Sequence, residues 1–228
     1  MKLSFTVETL KAPSSLEVSI SDLIVAGWAG RDIHAIEHHI EELAAIGVPR
    51  PSTVPLYYRC SDNSLVQADT IQVVGEETSG EVETFVFRAG DELFVSIASD
   101  HTDRKLESHS VALSKQICAK PVASRAWPFA EVAPHWDQLI IRSFIEENGA
   151  EVLYQEGTLA SLRSPQDLIA GYSGGNDMLE PGAGMVCGTV GAIGGIRPSK
   201  AFRMELHDPV LNRTIAHSYS IETLPEIA

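Results

Sequence analysis

Short apolar runs dominate the chain, and most alternate in the way half-buried strands do. Residues 5–10 read FTVETL, 15–20 SLEVSI and 22–28 DLIVAGW, with Ala12-Pro13-Ser14-Ser15 breaking the first two apart. A period of three to four then takes over. Ile33, Ile36, Ile40 and Leu43 form the apolar stripe of a helix predicted over residues 32–46, with Gly47 as its stop and Pro49 beyond. The Pro-rich connection VPRPSTVP leads into further strand-like runs: TIQVVG, GEVETFVFR, ELFVSIAS, QLIIRSFIE and AFRMEL. Gly-rich loops (GYSGGND, PGAG, GAIGG) punctuate the second half. Strands succeed one another without regular intervening helices, which predicts a β-rich α+β fold with much antiparallel pairing.

Composition narrows the class of partner. The chain has 228 residues, 17 Lys+Arg, 31 Asp+Glu and a formal charge of −14. Such a length buries roughly 70% of the unfolded surface without disulfides or structural metal. A hydrophobic share of 44% with 21% charged residues is that of an ordinary globular chain. The acidic surface repels phosphate backbones and anionic membranes, so neither nucleic acid nor a membrane is expected as a partner. Three scattered cysteines, Cys60, Cys118 and Cys187, fit a reducing compartment better than a disulfide framework. The N-terminal MKLSFTVETL lacks the pattern of a signal peptide, and no apolar run is long enough to span a bilayer. A cytoplasmic location is the resulting expectation.

The chemistry concentrates between Gly80 and Arg104. Two strand-like runs flank Ala89-Gly90-Asp91-Glu92, a hairpin signal. Alternation sends Glu81, Glu83, Phe85 and Phe87 one way and Val82, Thr84, Val86 and Arg88 the other. A turn centred on Gly90-Asp91 sets Arg88 opposite Leu93, Phe87 opposite Phe94 and Glu81 opposite Asp100. Glu81, Glu83 and Asp100 then share one end of one face. Three carboxylates that close need protonation or a bridging cation, and a hard cation takes such oxygen ligands. The same acids would also suit a wet strand face, and a one-residue slip would send Asp100 to the other side. Downstream of Asp100, His101 is expected to titrate near neutral pH, or with Asp103 to cap a helix start.

In order along the chain, Glu81-Val82-Glu83, Asp100-His101-Thr102-Asp103-Arg104 with Glu107, and Ser114-Lys115-Gln116 with Pro121 resemble the motifs of the fumarylacetoacetate hydrolase family. Asn148-Gly149 with Tyr154-Gln155-Glu156-Gly157, and Pro181-Gly182 with Cys187-Gly188-Thr189, extend the resemblance to about residue 206. It implies a fumarylacetoacetase C-terminal-like mixed β-sandwich or roll over residues 31–228, preceded by a small N-terminal β region over 1–30. It implies Mg²⁺ or Mn²⁺, with Ca²⁺ a further candidate, on Glu81, Glu83 and Asp100. By the same resemblance Lys115 is catalytic, Arg104 and Thr189 contact the substrate, and His39 with Glu42 in the 32–46 helix forms a general-base dyad. An amphipathic surface helix explains His39 and Glu42 equally. Tyr58 and Arg59 are candidate anion contacts.

The implied function is a metal-dependent hydrolase or lyase acting on a small acidic oxo compound of the 2-keto or β-diketo acid type, through a metal-stabilised enolate. Its members are commonly homodimers. The alternative is a non-catalytic metal- or metabolite-binding protein of the same fold. Departures from the family pattern leave the reaction open. Glu107 stands where Gln is usual, Cys118 where many members have Asp, and Ala183-Gly184 follow Pro181-Gly182 in place of Asp.

Overall fold

Turn chemistry fixes the central hairpin. Gly90 adopts φ +61, a conformation that costs glycine little, and joins strand Val82–Ala89 to strand Glu92–Ser99. Val82 pairs with Ser99, Phe87 with Phe94 and Arg88 with Leu93, the register expected from a turn at Gly90-Asp91. The computed structural model describes residues 1–45 and 50–227; the side chains of His39, Glu42 and Leu43 also lie outside that description.

Among the described residues, eight strands form one sheet in the order Ser14–Ser19, Lys2–Val7, Arg125–Pro128, Glu92–Ser99, Val82–Ala89, Ala183–Val186, Asp22–Gly27, Leu56–Cys60. Its neighbours are antiparallel except at Lys2–Val7 with Arg125–Pro128 and at Ala183–Val186 with Asp22–Gly27. The strands of residues 2–27 are thus members of the same sheet as the hairpin.

The sheet is curled. Phe5 and Phe87 belong to strands three places apart, roughly 14 Å in a flat sheet. Their rings nevertheless stack at 4.5 Å. The interior of the curl is a core of Leu3, Phe5, Leu23, Val25, Phe85, Phe87, Phe94 and Val186, all buried. A second sheet runs Ala150–Thr158, Ile140–Glu147, Ala201–Asp208, Arg213–Leu224, Thr70–Val74. Its inward Ile141, Met204, Ile215 and Tyr219 pack with Val82, Val86, Val95 and Trp127 from the outer face of the first sheet. The 82–89 strand is therefore covered on both faces, which makes its alternation one between two cores. The β-rich α+β reading holds.

Helix Ile33–Ala45 begins where Asp32 Oδ1 accepts the N–H groups of His34 and Ala35, at 3.0 and 3.1 Å. Ile36 and Ile40 are buried as the stripe predicts, but Ile33 is 50% exposed. It stands in the first turn and projects past the packed surface. Gly47 and Pro49, the expected stop, lie outside the described residues. No helix among the described residues is long and apolar enough to cross a membrane.

Candidate metal centre

Glu81 and Glu83 sit where strand Val82–Ala89 begins, and Asp100 follows the last residue of its partner strand. The Asp100 N–H donates to Glu81 O at 2.9 Å, carrying the hairpin register one step further. One carboxylate oxygen from each of Glu81, Glu83 and Asp100 lies within 4.8 Å of the others. Glu83 is 3% exposed and Asp100 fully buried, so a wet strand face does not describe them. They occupy the mouth of the curl, on the side of the strand that carries Phe85 and Phe87.

Backbone contacts clamp this segment. Gln155 Oε1 accepts the Val82 N–H at 3.0 Å, and Thr189 Oγ1 donates to Val82 O at 2.7 Å. The Gly188 N–H donates to Glu83 Oε2. Gly188 is at φ +91, and a Cβ there would lie 2.6 Å from Ala29 Cβ, so only glycine brings its N–H this close. Gln155 Nε2 donates to Thr189 Oγ1 at 2.8 Å and to Val190 O at 2.7 Å, tying the two clamps together.

Two lysines answer Asp100. Lys115, in the last turn of helix Val111–Ile117, donates to Asp100 Oδ2. Lys120, fully buried, places Nζ 3.0 Å from Asp100 Oδ1 and donates to His101 O. Burial alone would raise the Asp100 carboxyl, but the two ammonium groups hold it below the usual carboxylate range. Burial likewise works against the charged form of Lys115, yet Asp100, Glu81 and Glu83 keep it protonated. Glu83 goes the other way, raised first by burial and then by the negative charge of Asp100.

The donor set fits a divalent cation. All three groups are carboxylates, the ligand type hard cations prefer. Asp100 Oδ1 is buried and faces the Lys120 ammonium at 3.0 Å as an ion pair, and a carboxylate oxygen with two lone pairs keeps capacity for a cation beside it. Glu83 has one backbone donor and, among the described residues, no direct ion pair, the Lys115 ammonium acting on it only through space.

The other expected residues divide. Arg104 donates from Nε to Ser79 Oγ at 2.7 Å and from Nη1 to Glu107 at 3.0 Å, with Nη2 3.2 Å from Glu81. It braces a carboxylate of the group. Thr189 is beside the group through Val82. Arg59 is not brought there. On strand Leu56–Cys60, Tyr58 and Cys60 face the curl, so Arg59 faces outward, pairing with Asp22 and donating to Tyr172 Oη at 3.0 Å. Tyr58 does reach the centre, with Lys115 Nζ 5.6 Å from its ring centroid. The His39 and Glu42 side chains lie outside the described residues.

His101 is buried between Tyr219 Oη at 3.0 Å and Thr78 Oγ1 at 2.9 Å. Burial, then Lys120 and Arg104, push it down to about 3, so it stays neutral rather than titrating near pH 7. Asp103 caps helix Arg104–Glu107, accepting Leu106 N–H at 2.8 Å. Sequence reasoning missed Lys120, although a lysine directly before Pro121 was a visible signal. It also left Gln155 without a role.

A family model described as "Protein of unknown function (DUF2848)" matches residues 26–219. No curated protein matches the sequence. Solved structures do match in fold. A protein from Oleispira antarctica, provisionally described as a fumarylacetoacetate isomerase/hydrolase, aligns at TM-score 0.64 and 16% identity, over 95% of this chain and 99% of its own. A yeast fumarylacetoacetate hydrolase family protein aligns at TM-score 0.63 and 17% identity, over 91% and 95%. A 2-keto-3-deoxyarabinonate dehydratase aligns at TM-score 0.63 and 14% identity, over 90% and 75%. The fold is that of the fumarylacetoacetate hydrolase family, as the ordered motifs implied.

Proposed function

Because the chain belongs to the DUF2848 family and has the fumarylacetoacetate hydrolase fold, we propose that it is a divalent-metal-dependent hydrolase or lyase for a small acidic oxo compound of the 2-keto or β-diketo acid type. One observation carries the reading: Glu81, Glu83 and Asp100 converge within 4.8 Å in a buried setting. The same fold serves a protein named as a dehydratase and another named for isomerase or hydrolase chemistry, which supports the coarse class and leaves the bond broken open.

Glu81, Glu83 and Asp100 would hold Mg²⁺ or Mn²⁺, and Ca²⁺ also suits an all-oxygen set. When bound, the cation supplies Lewis-acid polarisation of a carbonyl oxygen. Lys115, kept protonated by the carboxylates around it, offers its ammonium to a ligand oxygen beside Asp100. Thr189 and Gly188 keep Val82 and Glu83 in place, and Arg104 steadies Glu81. The curl's aromatic interior behind Glu83 excludes water from the inner side. His39 and Glu42 remain the proposed base pair, on a helix preceding the strand that carries Tyr58.

Thermal unfolding with rising Mn²⁺ or Mg²⁺, in the parent and in Glu83→Gln, tests the centre. The metal-loaded chain is then offered a panel of 2-oxo and β-diketo acids. No metal-dependent stabilisation of the parent up to millimolar order would remove the basis of the proposal.

A further inference from the structure

The charge of Arg104 is matched twice before any ligand arrives. Its guanidinium lies between Glu107, at 3.0 Å, and Glu81, at 3.2 Å, and its side chain is 16% exposed. The charged cluster around the centre therefore holds the carboxylates of Glu81, Asp100 and Glu107, ion-paired with Arg104, Lys115 and Lys120, together with Glu83. With all of them ionised the cluster carries one negative charge. A divalent cation turns that into one positive charge, which a monoanion neutralises and a dianion reverses.

Resting on the metal-centre reading above, we infer that the loaded site is built for a monoanionic ligand, a single carboxylate beside a carbonyl, and that Glu107 sets this preference against dianions. Glu107 acts here through Arg104 and through space, as a specificity-determining residue. Its charge also reaches the phenol of Tyr58, which is raised by burial first and by Glu107 and Asp100 besides, against the effect of Lys115. Glu107 thus acts on the side of the centre where Lys115 lies over the Tyr58 ring. A unit charge about 8 Å from a ligand group, at an effective dielectric near 20, changes affinity by about tenfold or more.

Oxamate and oxalate make the test, because they share a shape and differ by one charge. Their dissociation constants are measured on the full chain loaded with Mn²⁺, in the parent, in Glu107→Gln and in Glu107→Ser. Both variants are expected to shift the oxamate-to-oxalate ratio about tenfold towards oxalate, the shift shrinking as salt is added. A purely structural role for Glu107 would weaken both probes alike and leave the ratio unmoved. If both probes bind and the ratio holds within about twofold in both variants, the inference falls while the metal centre stands. If the parent takes up no Mn²⁺, the metal-centre reading falls and takes the inference with it; if it is loaded and neither probe binds, the inference alone falls.

Discussion

The Lys120 ammonium lies 3.0 Å from Asp100 Oδ1, and neither side chain is exposed to solvent. Lys115 takes the other oxygen, so a single buried carboxylate organises two buried lysines. Removing one partner of a buried pair strands the remaining charge. Lys120→Met should destabilise the metal-free chain by about 2–4 kcal/mol, less than for an isolated pair because Lys115 remains. The His101 carbonyl loses its donor in the same change. Urea unfolding measures this, and added Mn²⁺ should recover part of the loss by supplying positive charge to Asp100. An unchanged midpoint in the metal-free chain would show that the pair is not what holds Asp100.

Glu83 gives a prediction that crosses over. Its carboxyl is raised, so the metal-free folded chain keeps a proton there that the unfolded chain releases above the ordinary glutamate value of about 4.3. That contribution to stability is complete below this pH and is lost as pH rises towards the raised value. Asp100, held low, contributes in the opposite sense, its share being lost as pH falls through its depressed value. At pH 8 the metal-free Glu83→Gln variant should therefore be at least as stable as the parent. With Mn²⁺ at a hundred times its dissociation constant, the parent should gain about 2.7 kcal/mol and the variant far less. Thermal scans with and without metal would refute this if both proteins gained equally.

The hairpin was legible because one turn fixes every pair in it, and the three carboxylates follow from that register. Lys120 was not, because a lysine in isolation reads as solvated. Its burial depends on Asp100 and on the pairing of Lys120–Pro121 with Leu65–Val66, more than fifty residues earlier. Strand Arg213–Leu224 was hidden for a related reason: it is mostly polar, and its Ile215 and Tyr219 are what it gives to the core. Arg59 was misplaced by parity. Once Tyr58 and Cys60 face the curl, alternation sends Arg59 outward, a parity that is set only by the pairing of residues 56–60 with Asp22–Gly27.

The cysteines should be chemically silent in the folded chain. Burial, followed by the charge of Glu83, pushes the Cys187 thiol up to about 12, and burial pushes Cys118 up to about 11. Cys60 is raised by the same cause. The thiolate is the reactive form, and all three side chains are also shielded. A disulfide reagent at pH 8 should titrate no thiol in the native protein and three after denaturation. Rapid labelling of even one native thiol would contradict the packing around it.

Gln155 should matter to metal affinity without touching the metal. Its amide answers Val82 N–H and Ser143 Oγ as acceptor, and Thr189 Oγ1 and Val190 O as donor, and it is 1% exposed. Val82 stands between Glu81 and Glu83, so its N–H fixes the backbone from which both carboxylates project. Gln155→Leu leaves the Val82 N–H and the Val190 carbonyl without these partners and should cost about 2–4 kcal/mol. Groups that orient ligands typically change metal affinity by about tenfold or more, and a loss of that size is expected for Mn²⁺. Ser143→Ala is the control, because it removes one of the two hydrogen bonds to the same Gln155 Oε1 and leaves the one from the Val82 N–H. It should cost about 1 kcal/mol and leave the Mn²⁺ dissociation constant unchanged. If Gln155→Leu lowers the melting temperature but binds Mn²⁺ as the parent does, Gln155 supports the fold and not the centre.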